Sequence, residues 1–344
     1  MPDITLAVNG MKYGGWKSAR ISRSIEQLAA AFELGISENW KDSGGARPIK
    51  PGQSCQLNHN DIPLILGNVD DVEPEYDANS RAVTVRGRCL AGDLVDCSAE
   101  VRSWRNIPLL KIAEDLCSPY GINVIAAIDL PEKIKSHQVE PGETAFECLE
   151  RAARMRGALL ISTGAGAVEI TRAGTDSIDT VLERGVNILA ARGQLSHRDR
   201  FSEYTVLGQA AGDDSGFGVV ASEPKGTAQD AGVSRTRPLT VLSESPGGLA
   251  DMKTRAEWER AVRLGRSSQV VITVQGWEHS GGLWEPNTRV KVRDDWLGLD
   301  EELLLAGVSL VLDDNGSRAE LTLTRPEAFD LLPVPEPYEG SSWE

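Results

Sequence analysis

Apolar and polar residues alternate in short runs over much of the chain, and turn residues separate the runs. Ile4, Leu6 and Val8 alternate up to Asn9-Gly10, a hairpin-type turn. The stretch from Ala19 to Ser37 carries two periods. Ile21, Ile25, Leu28 and Phe32 keep helical spacing, whereas Phe32, Leu34 and Ile36 alternate. A short helical or irregular start running into a strand is expected here, because Gly35 weakens a helix. Trp40 to Gly45 reads as a polar loop and Pro48 to Gly52 as a turn. Alternation then resumes through Cys55 and Leu57, Leu64-Ile65-Leu66-Gly67, Val69 and Val72, and again at Ala82 to Arg86. Closely spaced short strands of this kind predict a small antiparallel barrel or sandwich over residues 1–97.

The pattern changes after Cys97. Leu109, Leu110, Ile112, Ala113 and Leu116 fall at helical spacing and stop at Pro119 and Gly121. Ile122 to Ile125 reads as a strand. A second helix is expected over Gly142 to Arg156, with Thr144 as its cap and Gly157 as its stop. Ala158 to Ile161 and Val168 to Ile170 pair naturally as a hairpin across Gly164-Ala165-Gly166. Helix, strand, helix and hairpin over 98–182 predict a compact α+β domain.

Strand-like pieces return at Asn187 to Ala190, Ser202 to Gly208 and Pro238 to Ser243, then at Val270 to Val274, Val290 with Val292, Leu303 to Val308, and Ala319 to Thr324. Gly212 to Val233 is polar and glycine-rich and reads as a long loop, and Thr254 to Gly265 as a helix. These predict a second β unit over 183–330 carrying an inserted loop and helix at about 210–280. A flexible acidic tail is expected over 331–344.

The two β regions share an order of parts. Each has a turn, a strand, an apolar strand carrying a glycine (Gly67, Gly307), a turn, and a strand opening Ser-Arg-Ala at Ser80 or Ser317. The expected fold is therefore mostly β with α+β parts: two related antiparallel β-barrel-like domains plus a smaller α+β domain. Three copies of such a chain would present six quasi-equivalent units, and head-to-tail contacts close into rings when their rotation allows.

Composition narrows the function. The chain has 344 residues and a formal net charge of −15, which argues against nucleic acid or an anionic membrane as a principal partner. No apolar run is long enough for a spanning helix and no basic leader opens the chain, so stable membrane anchoring is not expected. Five widely spaced cysteines without a CxxC pair fit a reducing compartment, and the four histidines offer no zinc spacing.

No GxSxG, HExxH or phosphate-loop motif is present in the sequence. Asp93 with Asp96, and Asp213 with Asp214, are carboxylate pairs for which turn capping is the commoner use. Cys97 or Cys117 with His137 would make a thiol pair, but no local context supports one, and Glu33 has nothing to mark it as a glycosidase acid. No catalytic, cofactor-binding or metal residues are assigned, and the chain is read as no enzyme.

The tryptophans carry more. Trp277 and Trp284 flank Glu278 to Gly282, which lacks an apolar run of its own. They read either as a satellite core under a loop or as anchors in a contact between subunits. Trp258, Trp277, Trp284, Arg235 and Arg237 are the candidate interface residues.

Several stretches resemble the baseplate hub (tail) proteins of Mu-like contractile-tailed phages and prophages. They are Arg23-Ser24-Ile25-Glu26-Gln27-Leu28-Ala29, Gly92-Asp93-Leu94-Val95-Asp96-Cys97-Ser98, Gly185 to Leu189, Arg237-Pro238-Leu239, Gly281-Gly282-Leu283-Trp284-Glu285-Pro286-Asn287 and Pro326 to Phe329. The resemblance runs from about residue 4 to 330. It implies a homotrimeric ring of pseudo-sixfold symmetry in the virion tail baseplate, assembled in the host bacterial cytoplasm. Its implied partners are the tail tube, the membrane-piercing spike and other baseplate proteins, with no cofactor. A cell-envelope polysaccharide-binding module and a tail-associated hydrolase are the alternatives. The first would use the 98–182 region and exposed tryptophans.

Overall fold

In the computed structural model, which describes residues 3–37, 49–78, 81–208, 224–243 and 249–330, strands from both ends of the chain share one sheet of thirteen strands. In the first half of this sheet, Arg81–Cys89 lies between Ala31–Ser37 and Ile62–Tyr76. The early part of Ile62–Tyr76 pairs instead with Ser54–His59, which in turn takes Ile4–Val8. The second half repeats this plan. Gly316–Thr324 lies between Ser268–Gln275 and Leu299–Asp313, and the early part of Leu299–Asp313 pairs with Arg289–Asp294. Each half thus turns on one 15-residue strand that changes neighbours midway. A bulge sits beside each change, at Val69/Asp71 and at Leu305/Gly307. An unpaired extra residue bends its strand, which lets one strand serve two differently inclined neighbours.

These halves are not barrels. Closure requires the outer strands of each half to pair with one another. Instead Ser18–Ser24, beside Ala31–Ser37 in the first half, pairs on its other side with Leu299–Asp313 of the second, Ile21 facing Leu310. The strand in position to close one half holds the other. The sheet stays open, ending at Ile188–Leu195 on one side and Met11–Tyr13 on the other. The expected pair of barrel-like domains is therefore corrected to two curled halves of one sheet. This also decides Ala19 to Ser24, which is strand from its start. Ile21 is buried between Phe32 and Leu310, and sheet pairing on both flanks overrides a weak helical period.

The repeat is real in topology but not in the motif that suggested it. Matching the bulges sets Val83, Val85 and Gly87 against Ala319, Leu321 and Leu323. Ser-Arg-Ala is then one residue out of register. A one-residue slip moves every side chain to the opposite face. Accordingly Ala82 is exposed and Ala319 buried.

Between the halves, α1 (Ala91–Asp96), α2 (Leu109–Cys117) and α3 (Ala145–Arg154) pack with two small sheets. After Cys89 the chain enters helix α1, held by buried Ala91 and Leu94. Thr144 and Glu147 form a reciprocal capping box on α3, and Gly157 leaves its far end at φ 57°. Leu109, Leu149 and Ile170 of this region join the core that holds Leu6, Leu34, Leu57, Ile272 and Leu321 of the sheet. Glu203–Leu207, Lys225–Gln229 and Pro238–Leu242 form a separate small sheet under α4 (Leu249–Arg266), with Val206, Ala228, Met252 and Ala256 between. Lys225–Gln229 thus converts part of the expected 212–233 loop into strand. The rest of that loop up to residue 223, the Trp40 to Gly45 loop and the 331–344 tail lie outside the described residues.

Candidate assembly surface

Many of the titratable groups are tied to one another in ion pairs. Arg88 bridges Asp70 at 2.8 Å and Asp96 at 2.7 Å, whereas Asp93 accepts from the Asn68 amide at 3.5 Å, so the two carboxylates of the Asp93/Asp96 pair have different partners. The Arg88 contact holds the Asp96 carboxyl below its ordinary range. Asp213 and Asp214 lie outside the described residues. No group of three or more His, Cys, Asp or Glu side chains suited to a metal occurs among the described residues.

One thiol–imidazole pair does form, but with Cys148 rather than Cys97 or Cys117. Cys148 Sγ lies 3.3 Å from His137 Nε2, which itself reaches the Cys148 carbonyl at 3.0 Å. Arg151 donates to His137 Nδ1 at 3.4 Å, so Nε2 carries the proton and donates to the carbonyl. Burial pushes the thiol up to about 12 and the imidazole down. A neutral thiol beside a neutral imidazole is packing, not a nucleophile. The sequence offered no signal for the pair, since strand Lys133–Gln138 and α3 meet only in the fold.

A pH dependence follows. The folded His137 resists protonation through burial, then through the neighbouring Arg151 charge, against weaker opposing effects of Glu143 and Glu140. The unfolded chain binds that proton more readily, so stability is full above the ordinary imidazole value and falls as pH drops through and below it. Thermal melts from pH 7.5 to 5.5 are expected to show a falling midpoint, with a shallower fall in His137→Gln.

Trp277 and Trp284 sit in one loop, joined by a Trp284 N–H to Trp277 carbonyl bond at 3.2 Å. Gly276, at φ 78°, turns the chain out of Ser268–Gln275 to start it. Both indoles are 3% exposed and belong to the main core. Trp277 donates to the Val311 carbonyl at 3.0 Å and lies against His59, ring centroids 5.2 Å apart. His59 belongs to the first half of the sheet, and Glu278 from the loop reaches it at 3.0 Å. Arg23 pairs with Glu285 at 2.6 Å. The loop is a clasp between the two halves.

The other three candidates lie elsewhere. Trp258 on α4 is half-buried and donates to the Asp330 carbonyl at 2.5 Å, with the Arg255 guanidinium 4.6 Å above its ring. Arg237 caps the Arg200 and Arg198 carbonyls at 3.0 and 2.6 Å and lies over Phe201. Arg235 is exposed. The candidates thus form two groups rather than one patch. Sequence reading passed over Tyr76, Leu189 and Leu195, large apolar side chains exposed along two sheet edges.

The frame of the chain is one open sheet of two like halves held by a clasp. Family comparisons place that frame among phage baseplate proteins. Residues 3–89 match the N-terminal domain of the Mu phage baseplate assembly protein GpP-like family, residues 91–172 the second domain of the baseplate hub protein gp44-like family, and residues 249–332 the fourth domain of GpP. The baseplate hub protein gp44 of Escherichia phage Mu is 35% identical over 96% of this chain and 89% of its own length. The 43 kDa tail protein of prophage MuSo2 from Shewanella oneidensis is 37% identical, with a TM-score of 0.86 over 96% of this chain and all of its own. The tail protein from Neisseria meningitidis MC58 is 26% identical, with a TM-score of 0.79 over 95% of this chain and 98% of its own. The chain belongs to the baseplate hub family of Mu-like phage and prophage tails. It is a structural hub component of the virion tail baseplate and assembles with other tail components.

Proposed function

We propose that three copies of this chain form a ring that adapts a sixfold tail tube to a threefold membrane-piercing spike. The supporting observation is the repeated half-sheet. Two similar units per chain give a threefold assembly six similar positions on one face, while the unrepeated 91–172 and 203–266 parts keep it threefold elsewhere. The work is load transfer and symmetry matching, with no chemical step. Polysaccharide binding is the weaker reading, because Trp104 of the 98–182 region and both Trp277 and Trp284 are buried, which leaves Trp296 as the one exposed tryptophan among the described residues.

Light scattering after size exclusion is expected to give three times the 37.1 kDa chain mass, alone or with the spike protein. A strict monomer at high concentration under both conditions contradicts the ring.

A further inference from the structure

The joint inside the chain has a vacant counterpart at its ends. Within the chain, Ser18–Ser24 of the first half pairs with Leu299–Asp313 of the second, Ala19 facing Leu312, Arg20 Val311, Ile21 Leu310 and Arg23 Val308. Matching the halves through their ladders finds the equivalent of each partner. Ser18–Ser24 borders Ala31–Ser37 as Ile188–Leu195 borders Ser268–Gln275, which sets Ala19, Arg20 and Ile21 against Ala191, Arg192 and Gly193. The bulges set Val308, Leu310, Val311 and Leu312 against Val72, Pro74, Glu75 and Tyr76. Among the described residues, Ile188–Leu195 pairs only with Ser268–Gln275, and the 71–76 stretch pairs only with Arg81–Cys89. Both equivalent edges are open.

We infer that Ile188–Leu195 of one copy adds antiparallel to the 71–76 edge of the next copy, reproducing the internal joint between subunits. This rests on the ring reading and gives it a residue-level contact. The transferred register sets Ala191 opposite Tyr76, Arg192 opposite Glu75, Gly193 opposite Pro74, Gln194 opposite Glu73 and Leu195 opposite Val72. Three properties of these edges fit such a contact.

Exposure is the first. Tyr76 is 81% exposed, Leu195 72% and Leu189 57%, large apolar groups on strand edges that a neighbour would cover. Facing comes second. Val72, Pro74 and Tyr76 continue the face that carries buried Val69, while Ala191, Gly193 and Leu195 occupy the positions of Ala19, Ile21 and Arg23. Apolar groups therefore meet on the core side of the joined sheet and polar groups on the other.

Charge is the third. Arg20 at the internal joint reaches Glu320 at 3.1 Å, whose counterpart is Thr84; in the transferred register the Arg20 equivalent, Arg192, faces Glu75 instead, neither of these two having an ion partner within the described chain. Pro74 offers no N–H at the position of Leu310. With Glu73 and Glu75 beside it, it guards the edge against its own kind and leaves it to a complementary strand. Leu312, Leu310 and Val308 are buried where Tyr76 and Pro74 are exposed, and the strand Ser18–Ser24 makes the difference.

The test is a disulfide across the joint in the full chain. Cys97 is the exposed native thiol, so Cys97→Ser is the background. Arg192→Cys with Glu75→Cys is expected to give covalent oligomers under mild oxidant. Arg192→Cys with Asp71→Cys, about 13 Å further along the strand, lies beyond disulfide reach and is expected to give none. In parallel, Arg192→Glu is expected to shift the assembly toward monomer, and adding Glu75→Arg to restore it. A trimer by mass without the 192–75 bond overturns this joint and leaves the ring standing. Equal cross-linking of both pairs also overturns it. A strict monomer with no bond overturns joint and ring together.

Discussion

Trp277→Ala is expected to lower stability by about 3–5 kcal/mol, measured by urea or thermal unfolding. The indole is fully enclosed, and its loss leaves a cavity between the His59 ring and the strand Leu299–Asp313. It also leaves the buried Val311 carbonyl without the indole donor, a further cost of about 1–3 kcal/mol where the gap does not admit water. Against a typical net stability of about 5–15 kcal/mol this is a large loss. Trp277→Phe keeps most of the packing and is expected to lose markedly less. Glu278→Gln, at the solvent edge of the same clasp, keeps a hydrogen-bonding side chain of the same shape beside His59 and is expected to change stability by under about 1 kcal/mol. A loss below about 1 kcal/mol for Trp277→Ala would show that the clasp does not hold the two halves together.

The strands were legible where one face alone is buried. Val83 and Val85, or Val290 and Val292, alternate with polar residues because the sheet has a wet side there. Helices α2 and α3 were legible for the matching reason, an apolar face at helical spacing with stop signals in place. Strand Ser18–Ser24 was misread because it is an interior strand, one of whose two partners lies almost three hundred residues away. Nothing local records such a pairing. The barrel expectation failed on the same point, since hydrophobic period predicts strands but not which edges meet. The Ser-Arg-Ala match was a coincidence of letters. The two halves nevertheless share an order of strands and a 15-residue strand each, features that persist where individual residues do not correspond.

Of the candidate contact residues, the aromatic content was visible but its direction was not. A tryptophan beside Gly-Gly has the same sequence signature whether its ring enters the chain's own core or a neighbour's. The structure places Trp277 inside against His59 from the other half, and Trp284 inside against His279 of its own loop. The open edges are a property of the ladder. Leu189, Ala191, Gly193 and Leu195 alternate as any strand does, and only the missing neighbour marks them.

The largest single-residue effect after the tryptophan is expected at Gly67. A Cβ there would lie 1.9 Å from the Arg88 carbonyl oxygen and 2.6 Å from Cys89 Cα, both in the backbone of the adjoining strand. A backbone cannot rotate aside as a side chain does, so Gly67→Ala must push Arg81–Cys89 away at the point where Ile62–Tyr76 changes neighbours. The expected loss is at least about 3 kcal/mol by chemical denaturation, the upper end for overpacking. Gly307 occupies the corresponding place in the sequence pattern, and its alanine is expected to cost under about 1 kcal/mol. Its nearest neighbours to an added Cβ, Arg23 and Ser24, stand at an ordinary 3.6 Å. The contrast separates the two glycines by structure. Counted from the bulges, Gly67 corresponds to Leu303 and Gly307 to Asp71. Because Ile62–Tyr76 also carries Glu75 at its far end, Gly67→Ala is expected to weaken assembly along with stability, whereas Gly307→Ala leaves both near the parent. Equal stability for the two variants would mean that the Arg81–Cys89 strand yields without cost.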